Sequence, residues 1–290
     1  MRSIDTRAMG ARLHILGPDD RRFPAAARAV VRRFALEEQR CSRFRPDSEL
    51  SRVNATGGMH RLSAPFAEIV GAALAAAAAT DGRFDPTVHD ALVGAGYDRD
   101  LDEVIAGARG RLHPATPCGR WREIVLEGRD LLLPVGVHLD LGGIAKGWTA
   151  DLAAEEALAM GLPWIVVNAG GDLRVAGRAP SIPVHVEDPD EPAARLALLR
   201  VDTGGVATST VARRAWADGL HHLIDPATGA PVTGDVRQVT AWAPTCAEAE
   251  IRATDALLAG DGVTPGPDMI VVTDDRVVVT MAAHAPTEAA

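Results

Sequence analysis

Apolar residues recur along the chain with two spacings, one typical of helices and one typical of strands. Apolar positions three and four residues apart predict four long helices, which we place at residues 24–40, 65–80, 144–160 and 246–259. Pro65 suits the first turn of the second of these helices, and Gly161 ends the third. Ser48 precedes a shorter helix, where its hydroxyl is expected to cap the first turn.

Shorter apolar runs separated by turn residues predict strands. The first is placed at residues 8–16, beginning at Met9-Gly10. The others are placed at residues 121–126, 131–134, 136–141, 164–167, 182–187, 195–201, 205–207, 221–224, 269–273 and 276–280. Because strands outnumber helices, and "EGRD" and "TDDR" between neighbouring runs are hairpin signals, we predict an α+β fold. Its sheets should be mixed and largely antiparallel, with flanking helices.

Composition narrows the class of protein. A hydrophobic fraction of 47% and a charged fraction of 24% are typical of a globular chain, and a net charge of −9 argues against a nucleic-acid partner. Three widely spaced cysteines, without a Cys-x-x-Cys pair, exclude a full disulfide framework and make a zinc site unexpected. No apolar run reaches 18 residues and the first 17 residues lack a signal-peptide core, so we expect a cytoplasmic protein without membrane insertion.

The stretch "LDLGGIAKGW" places Gly142 and Gly143 after an apolar run and Lys146 at the start of a predicted helix. Backbone N–H groups at a helix start favour an anion, and Lys146 adds a positive charge there. The glycine spacing fits neither a dinucleotide fingerprint nor a P-loop. The stretch is equally compatible with a simple turn that carries a surface lysine.

Two other stretches contain candidate chemistry. In "AEAEIRATDALL", Glu250 and Thr254 lie four residues apart on one helix face, as Mg²⁺ oxygen ligands would, or as a solvated pair would. In "HHLIDPATG", His222 is suited to hydrogen-bond a phosphate or to take a proton. Two adjacent histidines fit equally well with one buried structural residue and one exposed residue. Asp172 in "NAGGD" and Asp85 in "FDPT" add carboxylates next to turn formers.

Nine short stretches, taken in order, resemble the ApbE family, the FAD:protein FMN transferases. They run from Met9 to Gly260 and are "MG", "SRFRPDSELSRVN", "FDPT", "GYD", "LDLGGIAKGW", "NAGGD", "ATS", "HHLIDPATG" and "APT" followed by a helix. The resemblance implies an ApbE-like fold in a single domain over residues 1–290, with two intertwined α+β subdomains as the alternative.

Members of that family bind FAD with Mg²⁺ and transfer its FMN half to a threonine or serine hydroxyl of a target flavoprotein, releasing AMP. The resemblance implies the same substrate, cofactor, acceptor partner and activity for this chain. The residues implied for FAD binding are Met9, Phe44, Arg83, Phe84, Asp85, Lys146 and His222. Those implied for Mg²⁺ are the carbonyl of Gly143 and the side chains of Glu250 and Thr254. The implied catalytic set is Lys146, Glu250 and His222, with His222 as the candidate general base.

Two departures from the family pattern leave alternatives open. Glu250 stands where the family usually has aspartate, and the extra methylene moves a carboxylate that Mg²⁺ needs at about 2.0–2.1 Å. Phe44 stands where tyrosine is common. The first alternative is a FAD pyrophosphatase that uses water as the acceptor at the same site. The second is a FAD-binding protein with an impaired metal site.

Overall fold

A computed structural model describes residues 1–107, 115, 118–191, 193–217, 219–260, 266–275, 277–280 and 288–289. The chain divides into two compact units, each built from more than one segment. The first unit comprises Met1–Leu36, Lys146–Arg213 and Gly234–Ala290, and the second comprises Glu37–Ala145 and Arg214–Thr233. Among the described residues, no helix combines the length and the apolar character needed to cross a membrane.

The first unit is organised around an eight-stranded sheet with the order β1-β2-β6-β7-β10-β15-β16-β17. Its strands are β1 (Arg2–Ala8), β2 (Ala11–Gly17), β6 (Trp164–Ala169), β7 (Asp172–Gly177), β10 (Gly204–Thr210), β15 (Val236–Ala243), β16 (Met269–Thr273) and β17 (Val277–Thr280). Neighbouring strands in this sheet pair antiparallel. The predicted antiparallel α+β fold is therefore confirmed.

Both faces of this sheet are covered. On one face, Leu13 and Ile15 pack with Phe34 of α1 (Phe23–Cys41) and with alanines of α6 (Ala145–Ala159). On the other face, a second core joins the sheet to β8 (Ile182–Glu187) and β9 (Arg195–Val201). β9 pairs with β8 on one side and with β18 (Glu288–Ala289) on the other. Burial on both faces explains why the "WIVV" run at the start of β6 is continuously apolar.

The second unit contains four helices and three small sheets among its described residues. The helices are α2 (Glu49–Thr56), α3 (Ala64–Ala79), α4 (His89–Gly94) and α5 (Leu101–Ile105). One sheet has the order β3-β5-β4, from Gly58–Arg61, Asp130–Leu133 and Val125–Glu127. The two others pair β11 (Ala215–Ala217) with β12 (Leu220–His221), and β13 (Ile224–Asp225) with β14 (Ala230–Pro231). Ser48 caps α2 by accepting from the Ser51 N–H, as predicted.

The element predictions are wrong at several positions. Met9 and Gly10 form the turn of the β1–β2 hairpin rather than the start of a strand, and both have positive φ. β1 escaped prediction because its side chains are largely exposed and polar, so it has no apolar stripe. Residues 136–141 are not a strand, because Leu139 is held on both its N–H and its C=O by the Asn54 side chain.

Other elements were misplaced or missed. A 3₁₀ turn at Arg120–Glu123 replaces the first half of the strand predicted at 121–126. The strand predicted at 221–224 is divided between β12 and β13. Residue 276, the first of the last predicted strand, lies outside the described residues. Besides β1, the missed elements are β3, β7, β11, β14, β15, β18 and the two short helices α4 and α5.

Candidate functional site

A buried cluster of one amine and two carboxylates lies in the first unit. Lys146 Nζ donates to Glu250 Oε1 at 2.6 Å and lies 2.9 Å from Asp172 Oδ2. The exposed fraction is 11% for the Lys146 side chain and 6% for each carboxylate. Lys146 is the only lysine in the sequence, whose 29 other basic side chains are arginines. A compact ammonium with three donors is suited to hold two carboxylates at once.

Glycine geometry places Asp172 in this cluster. β6 and β7 are joined by Gly170 and Gly171, both with positive φ, in the two-residue hairpin turn that favours such residues. The Gly171 N–H donates to Asn168 Oδ1 at 3.0 Å, which holds the turn closed. Asp172 follows at once as the first residue of β7, and only 4% of the residue is exposed.

Gly147 explains why a glycine follows the lysine. Its N–H donates to Glu250 Oε2 at 2.9 Å, so each oxygen of the Glu250 carboxylate accepts a hydrogen bond from the start of α6. A Cβ at this position would lie 2.8 Å from the carbonyl carbon of Cys246. Only a glycine therefore allows α6 to approach the start of α7 (Cys246–Leu258) this closely.

Asp151, one turn further along α6, fixes the start of α7. Its Oδ1 accepts the Cys246 N–H and its Oδ2 accepts the Ala247 N–H, both at 2.9 Å. These N–H groups have no partner within α7, and the helix dipole favours a negative charge beside them. Arg174 Nε lies 3.2 Å from Asp151 Oδ1. The contacts hold the helix that carries Glu250 in place.

The cluster has an excess of negative charge. Burial raises the pKa of the Glu250 carboxyl above its usual value, the charge of Asp172 raises it further, and Lys146 opposes both effects. Burial also raises the pKa of Asp151. When both carboxylates are ionised, one of their two negative charges is not balanced by the single ammonium.

Hydroxyl groups lie one helical turn from the carboxylate. Thr254 Oγ1 and Ser209 Oγ of β10 are 2.9 Å apart, with either atom as the donor. Glu250 is 4% exposed, so the alternative of a solvated helix face is wrong for this residue. The alternative of a surface lysine is wrong for Lys146, which is 8% exposed.

Several residues predicted to bind FAD belong to the second unit. The Phe44 ring lies 5.5 Å from the Tyr97 ring between centroids, and the Arg43 guanidinium lies 4.2 Å from the centroid of the Phe44 ring. Asp85 Oδ1 accepts from the N–H and the hydroxyl of Thr87, and its Oδ2 accepts the Gly119 N–H. Asp85 therefore holds two loops together within this unit.

Gly143 and Phe84 are in contact within the second unit. A Cβ on Gly143 would lie 3.2 Å from the buried Phe84 ring, so a larger residue requires that ring to move. Arg83 directly precedes Phe84, whose own N–H donates to the Thr80 hydroxyl at 3.0 Å. These contacts give the glycine a packing reason that is independent of any metal.

The two adjacent histidines have different environments. His221 is buried, its Nδ1 accepts the Leu223 N–H, and its Nε2 is 3.1 Å from the Val232 carbonyl. These partners assign a neutral ring with the proton on Nε2. His222 is half-buried, and its backbone N–H donates to the Arg214 carbonyl. The pair therefore consists of one structural histidine and one that is more accessible to solvent.

Comparison with known proteins identifies the family. A sequence model described as the ApbE family matches residues 9–270. The chain belongs to the ApbE family. Curated relatives include FAD:protein FMN transferases of Vibrio cholerae and Escherichia coli K12. The former is 28% identical over 242 residues, covering 78% of this chain and 71% of the relative. The latter is 27% identical over 277 residues, covering 89% and 78%.

Solved structures support the ApbE fold. The ApbE protein of Thermotoga maritima has a TM-score of 0.81 at 23% identity, and the match covers 96% of each chain. The flavinyl transferase ApbE of Pseudomonas stutzeri has a TM-score of 0.78 at 21% identity, covering 99% of this chain and 94% of that structure. At these identities the likeness concerns the fold.

In this ApbE-family chain, the residues predicted for function are divided between the two units. Lys146, Glu250 and Thr254 belong to the first unit, and Met9 lies there in the β1–β2 turn against the core. The others, Phe44, Arg83, Phe84, Asp85, Gly143 and His222, belong to the second unit. Sequence reasoning treated Lys146 as a charge for an anion and missed its carboxylate partners. A single lysine among 29 arginines was the signal that could have marked it.

Proposed function

We propose that this chain transfers the FMN half of FAD to a threonine or serine hydroxyl of an acceptor flavoprotein, with Mg²⁺ as cofactor and AMP as the second product. Membership of the ApbE family and the names of its curated relatives support the flavin-transfer activity. The observation that carries the metal-dependent part is the buried Lys146–Asp172–Glu250 cluster with its excess negative charge.

The residues present fit a Mg²⁺ ion. Carboxylate and hydroxyl oxygens are the ligands this hard cation prefers, and Glu250 and Thr254 supply one of each. Both Glu250 oxygens already accept a hydrogen bond, but a carboxylate has about four acceptor positions. We propose the side chains of Glu250 and Thr254 as ligands, and a bound Mg²⁺ would neutralise charge on the phosphate oxygens of FAD.

In the transfer step, the acceptor hydroxyl oxygen attacks the phosphorus of the FMN half and forms a new phosphoester bond. The anhydride bond breaks, and AMP leaves with its electron pair. The hydroxyl proton passes to a general base, for which we propose His222. Lys146 and the Gly147 N–H fix the orientation of the Glu250 carboxylate, and Lys146 favours its ionised form.

Transfer is tested by incubating the full chain with FAD, Mg²⁺ and candidate acceptor flavoproteins. The expected result is an FMN-sized mass increase on a threonine or serine of one acceptor, with one AMP released per adduct. Free FMN and AMP formed without acceptor would instead identify a FAD pyrophosphatase. Bound flavin with no AMP at any Mg²⁺ concentration would identify a FAD-binding protein.

The metal assignment is tested with Thr254→Ala and a matched control, Thr208→Ala. Thr208 and Thr240 form the same kind of hydroxyl pair, also 2.9 Å apart, one residue from Ser209. Loss of a group that supports transition-state charge lowers the rate by about 10²–10³-fold, and we expect a loss near the lower end for Thr254→Ala. Equal rates in the two variants would contradict the assignment.

A further inference from the structure

A second group of metal-type side chains lies in the second unit and has no part in the proposed transfer. His89 Nδ1 is 2.9 Å from Asp90 Oδ1, while His138 Nδ1 is 2.8 Å and 2.9 Å from the two oxygens of the same carboxylate. The two imidazole rings are 5.5 Å apart between centroids. One potential ligand atom from each residue lies within 4.8 Å of the other two.

The backbone on both sides of this group is held in place. His89 and Asp90 are the first two residues of α4. On the other side, the residue after His138 is fixed by two hydrogen bonds with Asn54, and the Asp140 N–H donates to the Pro86 carbonyl at 2.8 Å. The three side chains therefore extend from two segments that are already connected.

The separations suit a small metal ion. Nitrogen and oxygen ligands at about 2.0–2.1 Å in a tetrahedral arrangement lie about 3.4 Å from one another. The two histidine–aspartate separations of 2.8–2.9 Å need to open by only about half an ångström, within the range of side-chain rotation. Between 21% and 59% of each side chain is exposed, which leaves space for water ligands.

We propose that His89, Asp90 and His138 form a binding site for a divalent transition-metal ion, distinct in ligand chemistry from the Mg²⁺ site. Two imidazole nitrogens and one carboxylate favour Zn²⁺, Ni²⁺, Co²⁺ or Cu²⁺, whereas Mg²⁺ prefers oxygen ligands. A bound ion would connect the start of α4 to the segment that contains His138.

Zinc titration of the metal-free full chain tests the site, with competition by a chromophoric chelator and millimolar Mg²⁺ present throughout. The wild-type chain should bind one equivalent of Zn²⁺ that His138→Ala weakens at least tenfold, because even partners outside the ligand set change metal affinity by about 10–100-fold. The matched control is His14→Ala. His14 Nδ1 lies 3.0 Å from Asp5 Oδ1 on the surface, as in the proposed site, but the other side chain that contacts this carboxylate is Arg12 rather than a second histidine.

A second variant, Asp90→Asn, keeps the shape of the side chain and removes its charge, so it separates metal binding from misfolding. Circular dichroism should show both variants folded, and the visible spectrum of added Co²⁺ should indicate nitrogen and oxygen coordination only in the wild-type chain and His14→Ala. The proposal is overturned if the wild-type chain binds no Zn²⁺ under these conditions. It is also overturned if His138→Ala and Asp90→Asn bind Zn²⁺ as tightly as His14→Ala.

Discussion

Replacing Lys146 by methionine tests the buried cluster directly, because methionine matches the aliphatic part of the side chain and lacks the charged nitrogen. The ammonium lies 2.6 Å from Glu250 Oε1 and 2.9 Å from Asp172 Oδ2, and none of the three side chains is more than 11% exposed. The variant therefore leaves two carboxylates in a desolvated site without their counter-ion.

The expected loss of stability follows from these distances. With an effective dielectric constant of about 20, each contact contributes roughly 6 kcal/mol of Coulomb attraction. Much of this attraction is offset by the cost of desolvating the ammonium, which the methionine variant does not incur. Removing one partner of a buried ion pair lowers stability by about 3–5 kcal/mol, and we expect Lys146→Met to lose an amount in this range.

The assay is urea unfolding followed by circular dichroism and by tryptophan fluorescence, since coincident transitions justify a single free energy of unfolding. The control is Arg2→Met, which breaks an ion pair with Asp19 of the same 2.6 Å length. Those side chains are 50% and 70% exposed, so the control should lose less than about 1 kcal/mol. The double variant Lys146→Met/Glu250→Gln should recover part of the free energy of unfolding that Lys146→Met loses. The reasoning is refuted if Lys146→Met loses as little as Arg2→Met.

Three further measurements test burial and packing. Burial raises the pKa of the Glu250 carboxyl most, and the charge of Asp172 raises it further. The wild-type chain should therefore lose stability relative to Glu250→Gln as the pH rises from below 4.5, the ordinary pKa of this group, through its raised pKa. A difference in urea midpoint that is constant with pH would contradict this. Gly147→Ala should lower stability by about 1–3 kcal/mol, because its Cβ would meet the Cys246 backbone, whereas Gly71→Ala in α3 makes an ordinary 3.5 Å contact and should not. Equal melting temperatures for Gly147→Ala and Gly71→Ala would refute the packing argument. Burial raises the pKa of all three cysteine thiols, to about 12 for Cys118. A thiol reagent at pH 8 should therefore label the native chain far more slowly than the unfolded chain, and fast labelling would count against this burial. The three cysteines are Cys41, Cys118 and Cys246.

The long helices and most central strands could be predicted because their signals are local. Apolar side chains at helical spacing place α1, α3, α6 and α7 within one or two residues of their observed ends. Ser48 and Pro65 mark helix starts through contacts that reach only a few residues. β1 and the segment around Leu139 could not be predicted in this way. β1 pairs through backbone groups behind polar side chains, and Leu139 bonds to a side chain 85 residues away.

The site residues divide in the same manner. Gly142-Gly143, Lys146, Glu250 and Thr254 are visible as candidates from local spacing and from the resemblance to the ApbE family. Their burial and their partners cannot be predicted from local spacing. A lysine near a helix start predicts a positive charge that is available to an anion. The tertiary structure shows instead that Lys146 is buried and that its immediate partners are the carboxylates of Asp172 and Glu250.

The sequence by itself determined the antiparallel α+β class, the boundaries of the four long helices and the family, since periodicity, capping and turn chemistry act over a few residues. Only the tertiary structure decided that Lys146 faces Glu250, 104 residues away, and that Gly147 lets the two helices approach closely enough for this contact. Such pairings depend on how α6 and α7 pack, and packing is a property of surfaces brought together from distant parts of the chain.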